Sequence, residues 1–82
     1  MSAIGDRYEA EMEKAREALR RKGSTTDPEE RLACAYEAAQ AYLRASDEAR
    51  NASAVWAARI REAAMESYRV MDDLVRSLNA TK

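Results

Sequence analysis

The chain has 82 residues, with 14 lysines and arginines, 15 aspartates and glutamates, one cysteine and no histidine, so its formal net charge is -1. This length allows one domain at most, and a chain without a basic excess lacks the electrostatic footprint of nucleic-acid binding. One thiol excludes an internal disulfide, and without histidine there is no cysteine and histidine set for zinc. We therefore expect a single helical domain over residues 1–82 that holds no metal or other cofactor.

The first predicted helix covers residues 4–22. Steps of three and four residues place five apolar side chains on one helical face, namely Ile4, Tyr8, Met12, Ala15 and Leu19. Three cations at 20–22 precede Gly23. Cations favour the negative end of the helix dipole, and glycine readily takes a left-handed cap. The pattern predicts that the helix ends with a left-handed Gly23.

The second predicted helix covers residues 28–47. Asp27 can cap its first amides, Pro28 suits the first helical position, and Glu30 can bond back to the cap. The segment is apolar on two sides: one comprises Leu32, Ala35, Tyr36, Ala39, Tyr42 and Leu43, the other Ala33, Cys34, Ala38, Ala41 and Ala45. A helix that is apolar on two sides is predicted to lie between two others.

The third predicted helix covers residues 52–79, with an apolar stripe of Trp56, Ile60, Ala64, Tyr68, Met71, Val75 and Leu78. At the junction 46–53, Asn51 is a candidate left-handed cap and Ser53 a candidate N-cap, which predicts a turn. The fold is then an all-α, antiparallel three-helix bundle. An alternative stays open, because an apolar stripe with helical spacing continues across the junction on the same side of the helix. One continuous helix over 28–79 would be roughly 75 Å long, giving a helical hairpin that must dimerise.

The residues needed for common catalytic chemistry are missing. Without histidine, a serine or cysteine nucleophile lacks its usual base, and neither glycine belongs to a phosphate-binding loop. The adjacent carboxylates Glu29 and Glu30 point about 100° apart on a helix, which does not suit a shared acid/base or metal site. Cys34 lies within an apolar segment, where a thiol is a small core residue. We expect a protein that is not an enzyme.

Aromatic and apolar residues of the last two helices suggest an interaction surface. Its predicted members are Trp56, Tyr42, Ile60, Tyr68 and Met71, with Trp56 beside the uncertain junction. The leading interpretation is a protein–protein interaction module that acts through helix packing and self-association, with a homodimer or a protein partner expected. Eighteen alanines and eleven arginines against three lysines are typical of a high-GC bacterial or phage source. We therefore expect a small bacterial or phage regulator or adaptor.

A second interpretation is a nucleic-acid-binding regulator that uses arginines of the last helix and its approach: Arg44, Arg50, Arg59, Arg61, Arg69 and Arg76. Interleaved acids make this the weaker interpretation. No stretch approaches the roughly 20 apolar residues of a membrane span, and no N-terminal leader pattern is present. We therefore expect no membrane association and a cytoplasmic location.

The middle of the chain resembles a known family. The acidic start at 27–32 and the alanine- and tyrosine-rich stretch at 38–43 are similar to the middle helix of MIT domains and their tetratricopeptide-like relatives. The resemblance covers about two-thirds of the chain. It implies a three-helix domain with a groove between packed helices that accepts a peptide helix.

Overall fold

The computed structural model describes the backbone of residues 3–80 and the side chains of residues 5–80, so the side chain of Ile4 lies outside the described set. The described chain contains three helices and no strand: α1 (Ala3–Ser24), α2 (Pro28–Arg50) and α3 (Ala54–Ala80). The predicted all-α three-helix bundle is confirmed. The continuous helix over 28–79 is wrong, because α2 ends at Arg50.

Helix α2 lies between α1 and α3 and runs antiparallel to both. Arg44 pairs with Glu11 across the first interface, and Gln40 Nε2 donates to Tyr68 Oη at 2.7 Å across the second. Within the described chain, no Cα atoms of α1 and α3 come within 8 Å of each other. The molecule measures 50 × 21 × 12 Å, so the bundle is a flat layer about one helix thick.

The two interfaces are built from small side chains. The buried apolar residues are Ala15, Ala18, Cys34, Ala35, Ala38, Ala39, Ala41, Ala45, Ala49, Ala57, Ile60 and Ala64, and Cys34 and Ser46 are the largest that are completely buried. Small side chains let helices approach closely. As a result, most large apolar side chains lie at the edges of the interfaces, where they stay partly exposed.

The start of α2 follows the predicted cap with one difference. Asp27 Oδ1 accepts a hydrogen bond from the Glu29 amide at 3.1 Å, and Pro28 opens the helix. Glu30 was predicted to bond back to Asp27, but its carboxylate instead accepts a hydrogen bond from Thr25 Oγ1 at 3.2 Å. The Asp27 amide donates to that same hydroxyl at 3.2 Å. The Thr25 hydroxyl therefore links the Asp27 amide to the Glu30 carboxylate, the two groups that were expected to bond directly in a capping box.

The end of α1 differs from the prediction at Gly23. The helix continues through Gly23 to Ser24, and no described glycine has a positive φ. Ser24 Oγ donates to the Arg21 carbonyl at 3.1 Å. A serine hydroxyl thus satisfies a carbonyl of the last turn, and a left-handed glycine is not needed there.

The turn between α2 and α3 is shorter than predicted. Helix α2 reaches Arg50 because Ser46 and Ala49 are buried, so packing outweighs their modest helix propensity. Asn51 has φ -68° and ψ -24°, which is right-handed, so the predicted left-handed cap is wrong. Ser53 Oγ accepts from the Trp56 amide at 3.1 Å. The predicted N-cap at Ser53 is confirmed.

Two residues expected on the apolar sides of α2 lie instead on its open side. Tyr36 is 50% exposed, and Ala33 is exposed as well. They share the helical side that neither α1 nor α3 covers, because the two neighbouring helices approach α2 from nearly opposite directions. The prediction that α2 lies between two other helices is correct. Ala33 and Tyr36, however, lie on the part of its circumference that neither neighbour covers.

Candidate interaction surface

The flat layer has two broad faces. We define the Trp56 face by side chains that share one helical side on each helix: Tyr8, Met12, Leu19, Arg31, Tyr42, Trp56, Ala63, Val70 and Leu74. The opposite Tyr36 face holds Tyr36, Gln40 and Met65 together with a dense set of charges. The faces differ in charge: the named members of the Trp56 face are uncharged except Arg31, whereas the exposed Tyr36 and Met65 share their face with many charged residues.

An aromatic pair marks one end of the Trp56 face. The rings of Tyr8 and Trp56 have centroids 4.8 Å apart and planes inclined at 53°, so α1 and α3 meet here above α2. Trp56 nevertheless remains 45% exposed. Burial, with a smaller effect of Glu9, raises the pKa of the Tyr8 hydroxyl. The pair therefore presents neutral, amphipathic rings to a neighbour.

A small buried cluster supports the Tyr8 ring of this pair. Ala45, Ala49, Ala57 and Ile60 form its buried floor, and Tyr8, Met12 and Tyr42 pack against them. The floor brings side chains of α2 and α3 together, and Tyr8 and Met12 close it from α1. Trp56 is joined to this cluster through its ring contact with Tyr8, at the end of the layer where all three helices contribute.

The apolar seam of α3 loses its cover toward the C-terminus. Its positions follow steps of three and four: Ala57, Ile60, Ala64, Ser67, Met71, Leu74 and Leu78. The first four are buried, whereas beyond Ser67 no described residue of α3 is buried. Met71 and Leu74, which follow Ser67 in this seam, are only partly buried. Val70 and Leu74 therefore line a partly exposed edge of the Trp56 face.

Among the arginines of α2, Arg31 is the one that lies on the Trp56 face. It shares a helical side with Ala38, Tyr42 and Ala49. Its Nε is shielded from solvent and has no hydrogen-bond partner in the described chain. A shielded donor without an acceptor carries a desolvation cost that a partner group could remove.

The Tyr36 face has a groove of about 800 Å³ between α1 and α2, lined by Ala10, Glu13, Lys14, Glu17, Arg21, Tyr36, Glu37, Gln40 and Arg44. Its three cations are already paired, since Arg21 meets Glu37, and both Lys14 and Arg44 meet Glu11. Burial raises the pKa of the Glu11 carboxyl, but the hydrogen bonds from Arg44 and Lys14 outweigh burial and lower it overall. The groove is therefore an internally neutralised surface.

The five residues predicted to interact fall into two groups. Tyr42 and the buried Ile60 belong to the cluster at the aromatic end, and the exposed Trp56 meets that cluster through Tyr8. Tyr68 and Met71 line a shallow groove along α3 with Met65, Arg69, Asp72 and Val75. Tyr68 also bonds Gln40 and so serves the α2–α3 contact.

The Trp56 face also contains residues that were not among the five predicted interaction residues. Tyr8 and Met12 were assigned to the core of the first helix, and Arg31 was not singled out. The spacing of three and four residues placed Tyr8 and Met12 on one side of α1. That spacing alone does not show which helix this side contacts. Their proximity to Trp56 required knowing that α1 and α3 lie on either side of α2.

The arginines of α3 do not form one basic stripe. Helix α3 carries four arginines and four acids. Arg59 and Arg61 lie about 200° apart around the helix, and Arg69 Nη1 pairs with Glu66 Oε2 at 2.5 Å. These positions lend no specific support to the alternative of nucleic-acid binding.

No protein-family model matches the chain, and no match is found among curated proteins or solved structures. The resemblance to MIT domains stays a prediction. Within the described residues, no helix combines the length and apolar character of a membrane span, and no three metal-ligating side chains cluster. Cys34 is buried, with 1% exposure. The arrangement of surfaces is the main guide to function.

Proposed function

We propose that the protein is a non-enzymatic protein–protein interaction module, a small cytoplasmic regulator or adaptor of bacterial or phage origin, which docks helices on its Trp56 face and self-associates. The observation that carries this proposal is the division of side chains by size. Alanines fill both internal interfaces, while Met12, Tyr42, Trp56, Val70 and Leu74 gather on one face and stay partly exposed.

The total surface supports an association. The chain exposes 5599 Å², whereas a compact monomer of 9.2 kDa exposes about 4900 Å². The excess of about 700 Å² is close to the roughly 800 Å² that each partner buries in a standard protein–protein interface. One docking event on one face would bring the exposed area to that of an ordinary globular protein.

The distribution of charge favours the Trp56 face over the Tyr36 face. Interface centres are depleted in charged residues and enriched in aromatic residues and methionine. The Trp56 face has this composition, with Arg31 as the charged residue of α2 within it. The Tyr36 face instead holds ion pairs such as Arg21 with Glu37, which would have to be desolvated on docking.

Sedimentation equilibrium of the full chain tests the proposal directly. We expect reversible self-association at tens of micromolar, weakened about tenfold or more by Trp56→Ala, as for a central aromatic anchor. Tyr36→Ala is the matched control, because Tyr36 is a comparably exposed aromatic residue on the opposite face. A wild-type chain that stays monomeric to several hundred micromolar would contradict self-association.

A second variant separates docking from folding. Trp56→Ala also removes the ring contact with Tyr8, so a loss of association could follow from local unfolding. Val70→Glu leaves the ring pair intact and places a charge at the partly exposed edge of the same face. Both variants should retain the wild-type helix content by circular dichroism. If Val70→Glu associates as the wild type does, the Trp56 face is not the docking surface.

A further inference from the structure

We propose that the occupant of the Trp56 face is a second copy of this chain, stacked face to face with its helices antiparallel. The twofold axis lies between the two layers, perpendicular to the helices, and passes over Gln40 of α2 and Ser67 of α3. This inference rests on the proposed function and names its partner and geometry. Each copy then covers the other's aromatic end and the partly exposed α3 edge at once.

The dimensions of the face fit a second layer better than a lone helix. The two longer dimensions of the molecule are 50 and 21 Å, which give each broad side an outline of roughly 1000 Å², enough for the roughly 800 Å² per partner of a standard interface. A single helix is about 10–12 Å wide and would cover about half of the 21 Å width. An identical flat layer matches both dimensions.

Arg31 selects the antiparallel orientation. Arg31 lies nine residues before Gln40 on α2, and Ala49 lies nine residues after it. Rotation about an axis at Gln40 therefore sets Arg31 opposite Ala49 of the second copy, beside that copy's Tyr8 and Trp56 rings. An aromatic face attracts a guanidinium. Parallel stacking would instead bring Arg31 against its own equivalent, a repulsion between two poorly solvated cations.

Two charges on α3 agree with this orientation. Arg59 and Asp73 are fourteen residues apart, two heptads, so they lie on one edge of the Trp56 face with Glu66 between them. Neither forms an ion pair within the described chain. The antiparallel arrangement sets Arg59 opposite Asp73 of the second copy, twice by symmetry. Glu66, near the axis, is neutralised by Arg69 of its own chain.

Charge reversal with rescue tests the arrangement on the full chain. At low ionic strength, Arg59→Asp and Asp73→Arg should each raise the dimer dissociation constant about fivefold or more, because each creates two like-charge contacts. The double variant, Arg59→Asp with Asp73→Arg, should return the constant to within about twofold of the wild type. The matched control reverses Arg61 and Asp72, an exposed pair toward the Tyr36 face of the same helix, and should change little.

The outcomes separate this inference from the proposed function. Weakening by both single reversals, with rescue in the double variant, supports the stacked dimer. A dimer that depends on Trp56 but ignores these reversals, or is not rescued, overturns the stacking and leaves self-association standing. A wild-type monomer that captures only a foreign helix on the Trp56 face overturns the second copy as the occupant. Circular dichroism of each variant confirms that the comparison is between folded chains.

Discussion

Glu11 shows how a single charged side chain links two helices. Its side chain is only 12% exposed and receives hydrogen bonds from Lys14 on its own helix and Arg44 on α2. It is therefore the acid through which the middle of α1 is joined to α2. A carboxylate in this position stabilises the folded chain only while it is ionised.

The lowered pKa of Glu11 predicts a pH-dependent contribution to stability. A lowered pKa means that the folded state binds the proton less tightly than the unfolded chain, so the contribution is complete above the ordinary value of 4.5. It is lost as the pH falls through the folded-state value. Glu11→Gln should lower the free energy of unfolding by up to about 1 kcal/mol at neutral pH, with the difference shrinking in acid.

Urea denaturation at a series of pH values measures this difference. Glu13→Gln is the control, since Glu13 is 70% exposed and pairs only with Arg16 of its own helix. If the difference in free energy of unfolding between the wild type and Glu11→Gln persists unchanged at low pH, the side chain acts by packing and not by charge.

At the scale of elements, α2 is defined by local signals at its start and by packing at its end. The Asp27-Pro28 cap depends on adjacent residues, so the sequence predicted it correctly. The end at Arg50 depends on burial of Ser46 and Ala49 against other helices, which local propensity does not contain. The two-sided apolar pattern predicted the central place of α2. The same pattern did not show that Tyr36 would face solvent.

The alanine interface between α2 and α3 leads to a prediction of its own. Ala39 has no exposed surface, so a larger side chain there must push the helices apart. Ala39→Leu should lower the free energy of unfolding by about 1–3 kcal/mol, measured by urea denaturation. Ala33→Leu is the matched control: it lies on the open side of the same helix and should change stability by less than about 0.5 kcal/mol. Equal stability of the two variants would mean that the interface has room for a leucine.

At the scale of the whole molecule, flatness is the property that the sequence did not reveal. Helical periodicity predicted three helices, yet the separation of α1 from α3 depends on the angle at which each meets α2. For the same reason, the predicted interaction residues include only part of the Trp56 face. Tyr42, Trp56 and Ile60 lie on neighbouring helices and could be grouped, whereas Tyr8 comes close to Trp56 only across the layer.

Small-angle X-ray scattering provides the test at this scale. The monomer has a radius of gyration of 14.0 Å, against about 12 Å for a compact chain of this length. Two 12 Å layers stacked face to face, with centres about 12 Å apart, would double the mass and raise the radius only to about 15 Å, whereas joining them edge to edge would give about 17–18 Å. A doubled mass with the larger radius would contradict face-to-face stacking.

The separation of α1 from α3 also determines how the chain loses its structure. Apart from the ring contact at one end, each outer helix is bound to α2 alone, as neighbouring units are in a linear array. In such arrays stability is approximately a sum of nearest-neighbour terms. Detachment of α1 therefore leaves most of the α2–α3 hairpin contacts intact, and loss of α2 removes both interfaces together. The middle helix sets the cooperativity of unfolding.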